Sequence, residues 1–80
     1  MATLRLFASA REAAGAGQAR FSGATVGDVL AGATAAYGDG FKAVLGSCRL
    51  WVNGEPAELF TAVSETDEVA VLPPVSGGST

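Results

Sequence analysis

The chain has 80 residues, a length that forms one small domain. Its net charge is −3 and its pI is near 4.6, and its five basic residues are scattered, which excludes the Lys/Arg cluster that nucleic-acid binding requires. A single cysteine, Cys48, and no histidine exclude an intramolecular disulfide and argue against a metal site. No run approaches the ~20 apolar residues of a membrane span and no signal-peptide pattern opens the chain, so we expect a cytoplasmic protein without membrane contact.

Alternating apolar residues predict the first strand. Over residues 3–8, Leu4 and Leu6 fall on one face, which is the period of a half-buried strand. A short helical turn follows, for which Ser9 is the expected cap and Gly15 the expected end.

A second strand and the main helix come next. Residues 18–22 fit a short strand that pairs with the first. Thr25 suits a helix N-cap, Asp28 adds a negative charge in the first turn, and Gly38 provides the stop. Residues 41–45 predict one more helical turn. The apolar stripe of the main helix consists of Val26, Val29, Leu30, Ala33 and Tyr37.

The second half of the chain carries the strongest turn signal. Residues 48–52 alternate like a strand, and Asn53-Gly54 tolerates the positive φ angles of a tight hairpin turn. The segment 55–63 predicts either a short edge strand or irregular structure, with Leu59 and Phe60 packed inward. Cys48 is expected to be structural, because the chain offers no histidine to activate its thiol.

Residues 68–72 predict a last strand, which completes the order β-β-α-β-β. This α+β order is that of the β-grasp fold, in which a mixed sheet of four or five strands packs on one main helix. We therefore predict a β-grasp domain over residues 1–72 and an extended tail over residues 73–80.

The same alternation predicts an apolar patch on the outer face of the sheet. If the buried face points at the helix, then Phe7, Trp51, Ala70 and Leu72 point away from it. Such a patch predicts a docking surface, with Phe7, Trp51 and Leu72 as partner-binding residues. The alternative is that these side chains lie apart or are covered by loops.

The tail has a composition suited to insertion into another protein. Pro73 and Pro74 end the strand, because proline cannot donate to a sheet. Gly77 and Gly78 lack a Cβ and fit a narrow channel, and residues 73–78 reach roughly 20 Å when extended. The alternative is an unanchored end without a role.

Two stretches resemble a known family. The segment 67–78, which reads DEVAVLPPVSGG, and the earlier pairs Phe7-Ala8 and Arg11-Glu12 followed by Gly15, are similar to the MoaD/ThiS family of ubiquitin-like sulfur carriers, which includes the small subunit of molybdopterin synthase. This resemblance spans nearly the whole chain and implies the β-grasp fold.

The resemblance also implies a function in which the protein is a carrier and not an enzyme. An E1-like adenylyltransferase would use ATP to adenylate the Gly78 carboxylate, and a sulfur donor would convert it to a thiocarboxylate. A sulfur-accepting synthase or larger subunit, most simply that of molybdopterin synthase, would then take the sulfur. No cofactor is expected to bind the carrier itself. The residues implied to thread into the partners are Pro73, Pro74, Val75, Ser76 and Gly77.

The chain departs from the family pattern after Gly78, because Ser79 and Thr80 follow. While they remain, the Gly78 carbonyl is an amide, so a processing protease is expected to remove them. Two alternatives stay open: a sulfur carrier for cysteine, thiamin or secondary-metabolite biosynthesis, and a ubiquitin-like modifier or interaction domain whose Gly78 is joined to lysines.

Overall fold

Five strands and three helices make up the computed structural model, which describes residues 1–74. The strands form one mixed sheet in the order β2-β1-β5-β3-β4. β1 and β5 run parallel and the other neighbours are antiparallel, which is the predicted β-grasp arrangement. The strands are β1 Ala2–Leu6, β2 Gln18–Phe21, β3 Arg49–Val52, β4 Glu55–Pro56 and β5 Glu68–Leu72, and the helices are α1 Ala8–Ala14, α2 Val26–Tyr37 and α3 Asp39–Leu45.

The core lies between the inner face of the sheet and the helices. Leu4 and Leu6 of β1 and Val69 and Val71 of β5 are buried, as their alternation predicts. The helical side chains buried against them are Ala10, Val26, Val29, Leu30, Ala33 and Phe41. β1 and β5 therefore supply the most deeply buried side chains of the sheet, whereas Leu50 and Val52 of β3 are half-buried.

Local capping fixes the main helix as predicted. The Thr25 hydroxyl accepts a hydrogen bond from the Asp28 amide at 3.2 Å, and the Asp28 carboxylate accepts one from the Ala24 amide at 3.1 Å. The first bond satisfies an amide that the first turn leaves free, and the second ties the residue before the cap to the helix. Gly38 ends the helix at φ 91° and ψ −170°, a backbone region that is essentially restricted to glycine.

The cap predicted for the short helix is wrong. Phe7, not Ser9, occupies the N-cap position of α1, and it makes no side-chain capping bond. The reason is that β1 runs to Leu6 and the chain turns at once through Ala8, whose φ is 51°, so Ser9 already lies inside the helix. The predicted end at Gly15 is confirmed, with φ 75°.

The predicted hairpin turn is confirmed and is tied to β5. Asn53 and Gly54 both have positive φ, 51° and 85°. The Asn53 side chain accepts from the Glu68 amide at 2.9 Å and donates to an Asp67 carboxylate oxygen at 2.9 Å. The other Asp67 oxygen accepts from the Ser64 amide at 2.8 Å. These bonds join the turn to the start of the central strand.

The prediction that Leu59 and Phe60 pack inward is wrong, because their exposed fractions are 57% and 80%. Backbone hydrogen bonds hold this loop against the start of α2: the Gly27 amide donates to the Leu59 carbonyl at 2.8 Å, and the Val26 amide donates to the Thr61 carbonyl at 2.9 Å. The loop thus satisfies helix amides with its carbonyls and leaves these two side chains pointing outward.

Candidate functional site

The tail leaves the fold from the middle of the sheet. β5 lies between β1 and β3, and its last residue, Leu72, pairs with Arg49 of β3. Pro73 is half-buried and Pro74 is exposed, and neither has an amide hydrogen to extend the ladder. The predicted site residues Val75, Ser76, Gly77 and Gly78, and the predicted removable residues Ser79 and Thr80, lie outside the described residues.

The outer face of the sheet presents an apolar strip beside this exit. Strand register aligns Arg5, Ala70 and Trp51 across β1, β5 and β3. Phe7, just after β1, has 39% of its surface exposed, while Trp51 and Leu72 are half-buried. The structure therefore places the three predicted partner-binding residues on one face, and their role in binding stays a prediction.

Charged side chains frame the strip. Arg5 Nη1 lies 3.3 Å from Glu68 Oε2, and both side chains are 45% exposed. The Arg5 guanidinium carbon is also 5.9 Å from the centroid of the Phe7 ring, within the range of a cation–π contact. An ion pair this exposed contributes at most about 1 kcal/mol to stability. The two contacts instead hold the Arg5 side chain across the face that a partner would cover.

Trp51 brings an unusual polar group to this face. Its indole Nε1 is buried and has no hydrogen-bond partner among the described residues. A buried N–H without an acceptor costs about 1–3 kcal/mol. A shallow recess lies next to the ring, with Arg49, Pro56 and Glu58 among its walls. The indole was predicted only as an apolar anchor, and alternation alone gives no sign of this unpaired donor.

Cys48 has the properties of a structural thiol, as expected. It is half-buried, and its sulfur donates a hydrogen bond to the Val44 carbonyl at 3.2 Å. Burial raises the pKa of the Cys48 thiol, so the thiol stays protonated at neutral pH. A protonated thiol is a weak nucleophile, and this side chain is not suited to carry sulfur.

The end of α1 forms an open groove on the body. Arg11 and Glu12 are exposed at its wall, together with Gly15 and Gly17. The Arg11 side chain covers Gly17 so closely that an added Cβ there would lie 3.2 Å from Arg11 Nε. The glycine therefore makes room for the arginine, a packing role that the sequence did not reveal.

Over residues 1–74, no set of three or more His, Cys, Asp or Glu side chains is placed to hold a metal ion. In the same part of the chain, no helix has the length and apolar character needed to cross a membrane.

Comparison with known proteins identifies what this arrangement is similar to. The ThiS family model matches residues 4–78. The small archaeal modifier protein 1 of Haloferax volcanii is 36% identical, with a TM-score of 0.83 over 95% of this chain and 97% of that chain. The protein of the same name from Methanosarcina acetivorans is 35% identical, with a TM-score of 0.87 over 96% and 95% of the two chains. A candidate molybdopterin converting factor, subunit 1, from Pyrococcus furiosus is 24% identical, with a TM-score of 0.80 over 92% and 97%, and supports the fold alone.

Proposed function

The chain belongs to the ThiS family of small ubiquitin-fold sulfur carriers, and we propose that it carries sulfur as a thiocarboxylate on Gly78. The observation that carries this proposal is the extent of the family match, which continues past the folded body and stops at Gly78, before Ser79 and Thr80. The central position of β5 supports it, because the chain leaves the sheet beside an apolar face on which a partner can dock.

The reaction needs activation because a free α-carboxylate, with a pKa of about 3.3–3.7, is ionised and a poor electrophile at neutral pH. An E1-like partner joins the Gly78 carboxylate to AMP from ATP and releases pyrophosphate. A sulfur donor then attacks the carbonyl carbon, the C–S bond forms, and AMP leaves. The carrier contributes the acyl group and the docking face, and the partner contributes the nucleotide chemistry.

Removal of the residues after Gly78 is part of this proposal. An amide between Gly78 and Ser79 has no free carboxylate, so it cannot be adenylated. A protease that cuts after Gly78 would expose the reactive end and would control how much carrier is available.

For the sulfur acceptor, we propose a pterin precursor of molybdopterin, bound by a larger synthase subunit. The support is the resemblance of Pro73-Pro74, Phe7-Ala8 and Arg11-Glu12 to the small subunit of molybdopterin synthase. Acceptors in cysteine, thiamin or secondary-metabolite biosynthesis are the alternatives. Identifying the synthase subunit that co-purifies with the chain from its native host distinguishes them.

A second candidate function is protein modification, in which Gly78 is joined to a lysine amine. Its support is the 36% and 35% identity, over nearly the full length, to two proteins named small archaeal modifier protein 1. Both functions begin with the same adenylate, and they differ in whether sulfur or an amine displaces AMP.

Mass spectrometry tests the proposal. The chain is isolated from its native host under denaturing conditions, and its intact mass is measured before and after incubation with an E1-like enzyme, ATP and sulfide. We expect a form ending at Gly78 whose mass rises by the difference between sulfur and oxygen. A variant lacking Gly77 and Gly78 is the matched control and should remain unmodified. Recovery of only the uncut chain, never a form ending at Gly78, would refute the sulfur-carrier function.

A further inference from the structure

Lys42 is the only lysine in the chain, since the other four basic residues are Arg5, Arg11, Arg20 and Arg49. It lies on α3 and is exposed. Among the described residues its ammonium group forms neither an ion pair nor a side-chain hydrogen bond, whereas Arg5 is paired with Glu68. An arginine guanidinium stays protonated and is not an acyl acceptor. The Lys42 amine is therefore the one side-chain nitrogen of this protein that can be acylated.

The surroundings of Lys42 are apolar. It lines an open groove together with Leu30, Leu45, Gly46, Cys48, Leu50 and Leu59. The loop that carries Leu59 is fixed beside the groove, because the Gly27 amide donates a hydrogen bond to the Leu59 carbonyl at 2.8 Å. An apolar groove that is lined by one amine fits a segment with apolar residues followed by a reactive carbonyl.

The tail of this protein has that composition. Pro73, Pro74 and Val75 are apolar, and two small residues then lead to Gly78. An extended chain places Val75 roughly 10 Å from Gly78, so apolar residues can lie in the groove while the carbonyl reaches the Lys42 amine that lines it.

We propose that Lys42 is an acceptor for the activated Gly78 of a second copy of this chain, so that copies are joined by an isopeptide bond. This proposal rests on the second candidate function above. The Lys42 amine attacks the Gly78 carbonyl carbon of the adenylate, and the C–N bond forms. The bond from this carbon to the AMP oxygen then breaks, and AMP leaves with the electron pair. The amine loses a proton to water.

A second copy is favoured over the protein's own tail by the two prolines. A residue that precedes proline is restricted to extended conformations, which applies to Leu72 and Pro73. Proline itself has its φ fixed near −65°. These restrictions keep the chain extended from Leu72 through Pro74, which favours a second copy over a turn back to α3 of the same chain.

The test uses the full chain and its Lys42→Arg variant, produced in the native host and isolated under denaturing conditions. Cleavage after glutamates, which spares the Glu55-Pro56 bond, leaves the branch Val69–Gly78 on the peptide 13–58, which contains Lys42. We expect this branched peptide from the wild-type chain and at least a tenfold loss of dimer in the variant. Arginine keeps the charge at an exposed helical position, so the urea unfolding midpoint should not change.

The possible results are distinguishable. A thiocarboxylate on Gly78, or conjugates with other proteins, without the Lys42 branch would overturn the Lys42 proposal and leave the proposed function standing. A branch on the peptide 1–12 instead would assign the acceptor role to the α-amine of Met1 and would overturn the proposal. A monomer lighter by one water would show that Gly78 had joined an amine of the same chain, which would also overturn the proposal. Absence of any activated Gly78 would refute the proposed function and this acceptor role together.

Discussion

Replacing Phe7 with alanine should weaken binding to the activating enzyme more than it weakens the fold, and Phe41→Ala should do the opposite. The two substitutions remove the same side chain. Phe7 lies on the outer face with 39% of its surface exposed, whereas Phe41 is fully buried in the core. The pair therefore separates the docking role of the outer face from packing.

The expected magnitudes follow from these positions. A fully buried phenylalanine costs about 3–5 kcal/mol when cut to alanine, and Phe41 also loses its edge contact with Tyr37, with ring centroids 5.3 Å apart. A domain of this size is stable by roughly 4–12 kcal/mol in total. For Phe7→Ala we expect the free energy of unfolding to fall by about 1–2 kcal/mol, because partial burial and the contact with Arg5 are lost. If Phe7 is a docking hot spot, the substitution should weaken the binding free energy by about 2 kcal/mol or more, which is roughly a 30-fold increase in Kd.

Two measurements check this reasoning. Urea unfolding reports the free energy of unfolding of the wild type and both variants, and isothermal titration against the E1-like enzyme reports Kd. Trp51→Ala, on the same face, should behave like Phe7→Ala in the titration. An unchanged Kd for Phe7→Ala, or a loss of stability as large as that of Phe41→Ala, would refute the assignment of this face to docking.

Three further predictions concern the body. Gly38→Ala should lower the free energy of unfolding by about 1–3 kcal/mol, because alanine is strained at φ 91° and ψ −170°. The control Gly40→Ala should raise the free energy of unfolding by up to about 1 kcal/mol, because an added Cβ there meets nothing within 4 Å. Equal urea midpoints for the two variants would contradict this prediction. The hydrogen bond from Asn53 is the main cause that lowers the pKa of Asp67 in the folded protein. The ionised Asp67 carboxylate therefore stabilises the fold fully above its ordinary pKa of about 3.9, and this stabilisation is lost as the pH falls through the lowered pKa of the folded state. The gap in urea midpoint between wild type and Asp67→Asn should therefore narrow below about pH 4, and a gap independent of pH would count against the network. Cys48→Ala should leave the rate of thiocarboxylate formation unchanged, as followed by intact mass, and a large loss would mean that the thiol takes part.

Local patterns predicted much of the fold because they depend on neighbours in the chain. The Thr25 cap, the Gly38 stop and the Asn53-Gly54 turn each satisfy backbone needs within a few residues, and the alternation of Leu4 and Leu6 follows from the two-residue period of a strand. The wrong predictions fall where distant contacts decide. Ser9 is a good cap by type but lies inside the helix, because the chain turns directly after β1.

The candidate site was only partly predictable. Alternation placed Phe7 and Trp51 on the outer face, whereas the reactive end predicted from the glycine pair at 77–78 lies outside the described residues. Alternation is silent about side chains in loops, however, so Leu59 was predicted to be buried and proves exposed. Backbone bonds to Gly27, more than thirty positions away, hold the Leu59 loop in place.

Residue order alone thus specified the main helix with its Thr25 cap and Gly38 end, the four longer strands, and the composition of a tail that contains Gly77-Gly78. The folded molecule decided that β5 lies between β1 and β3, so that the tail leaves beside the apolar face, and that Lys42 meets an open apolar groove. The physical reason is distance along the chain. Helix caps and strand alternation depend on residues a few positions apart. The pairing of β1 with β5 joins distant residues such as Arg5 and Ala70, and these residues meet only because the whole core is buried.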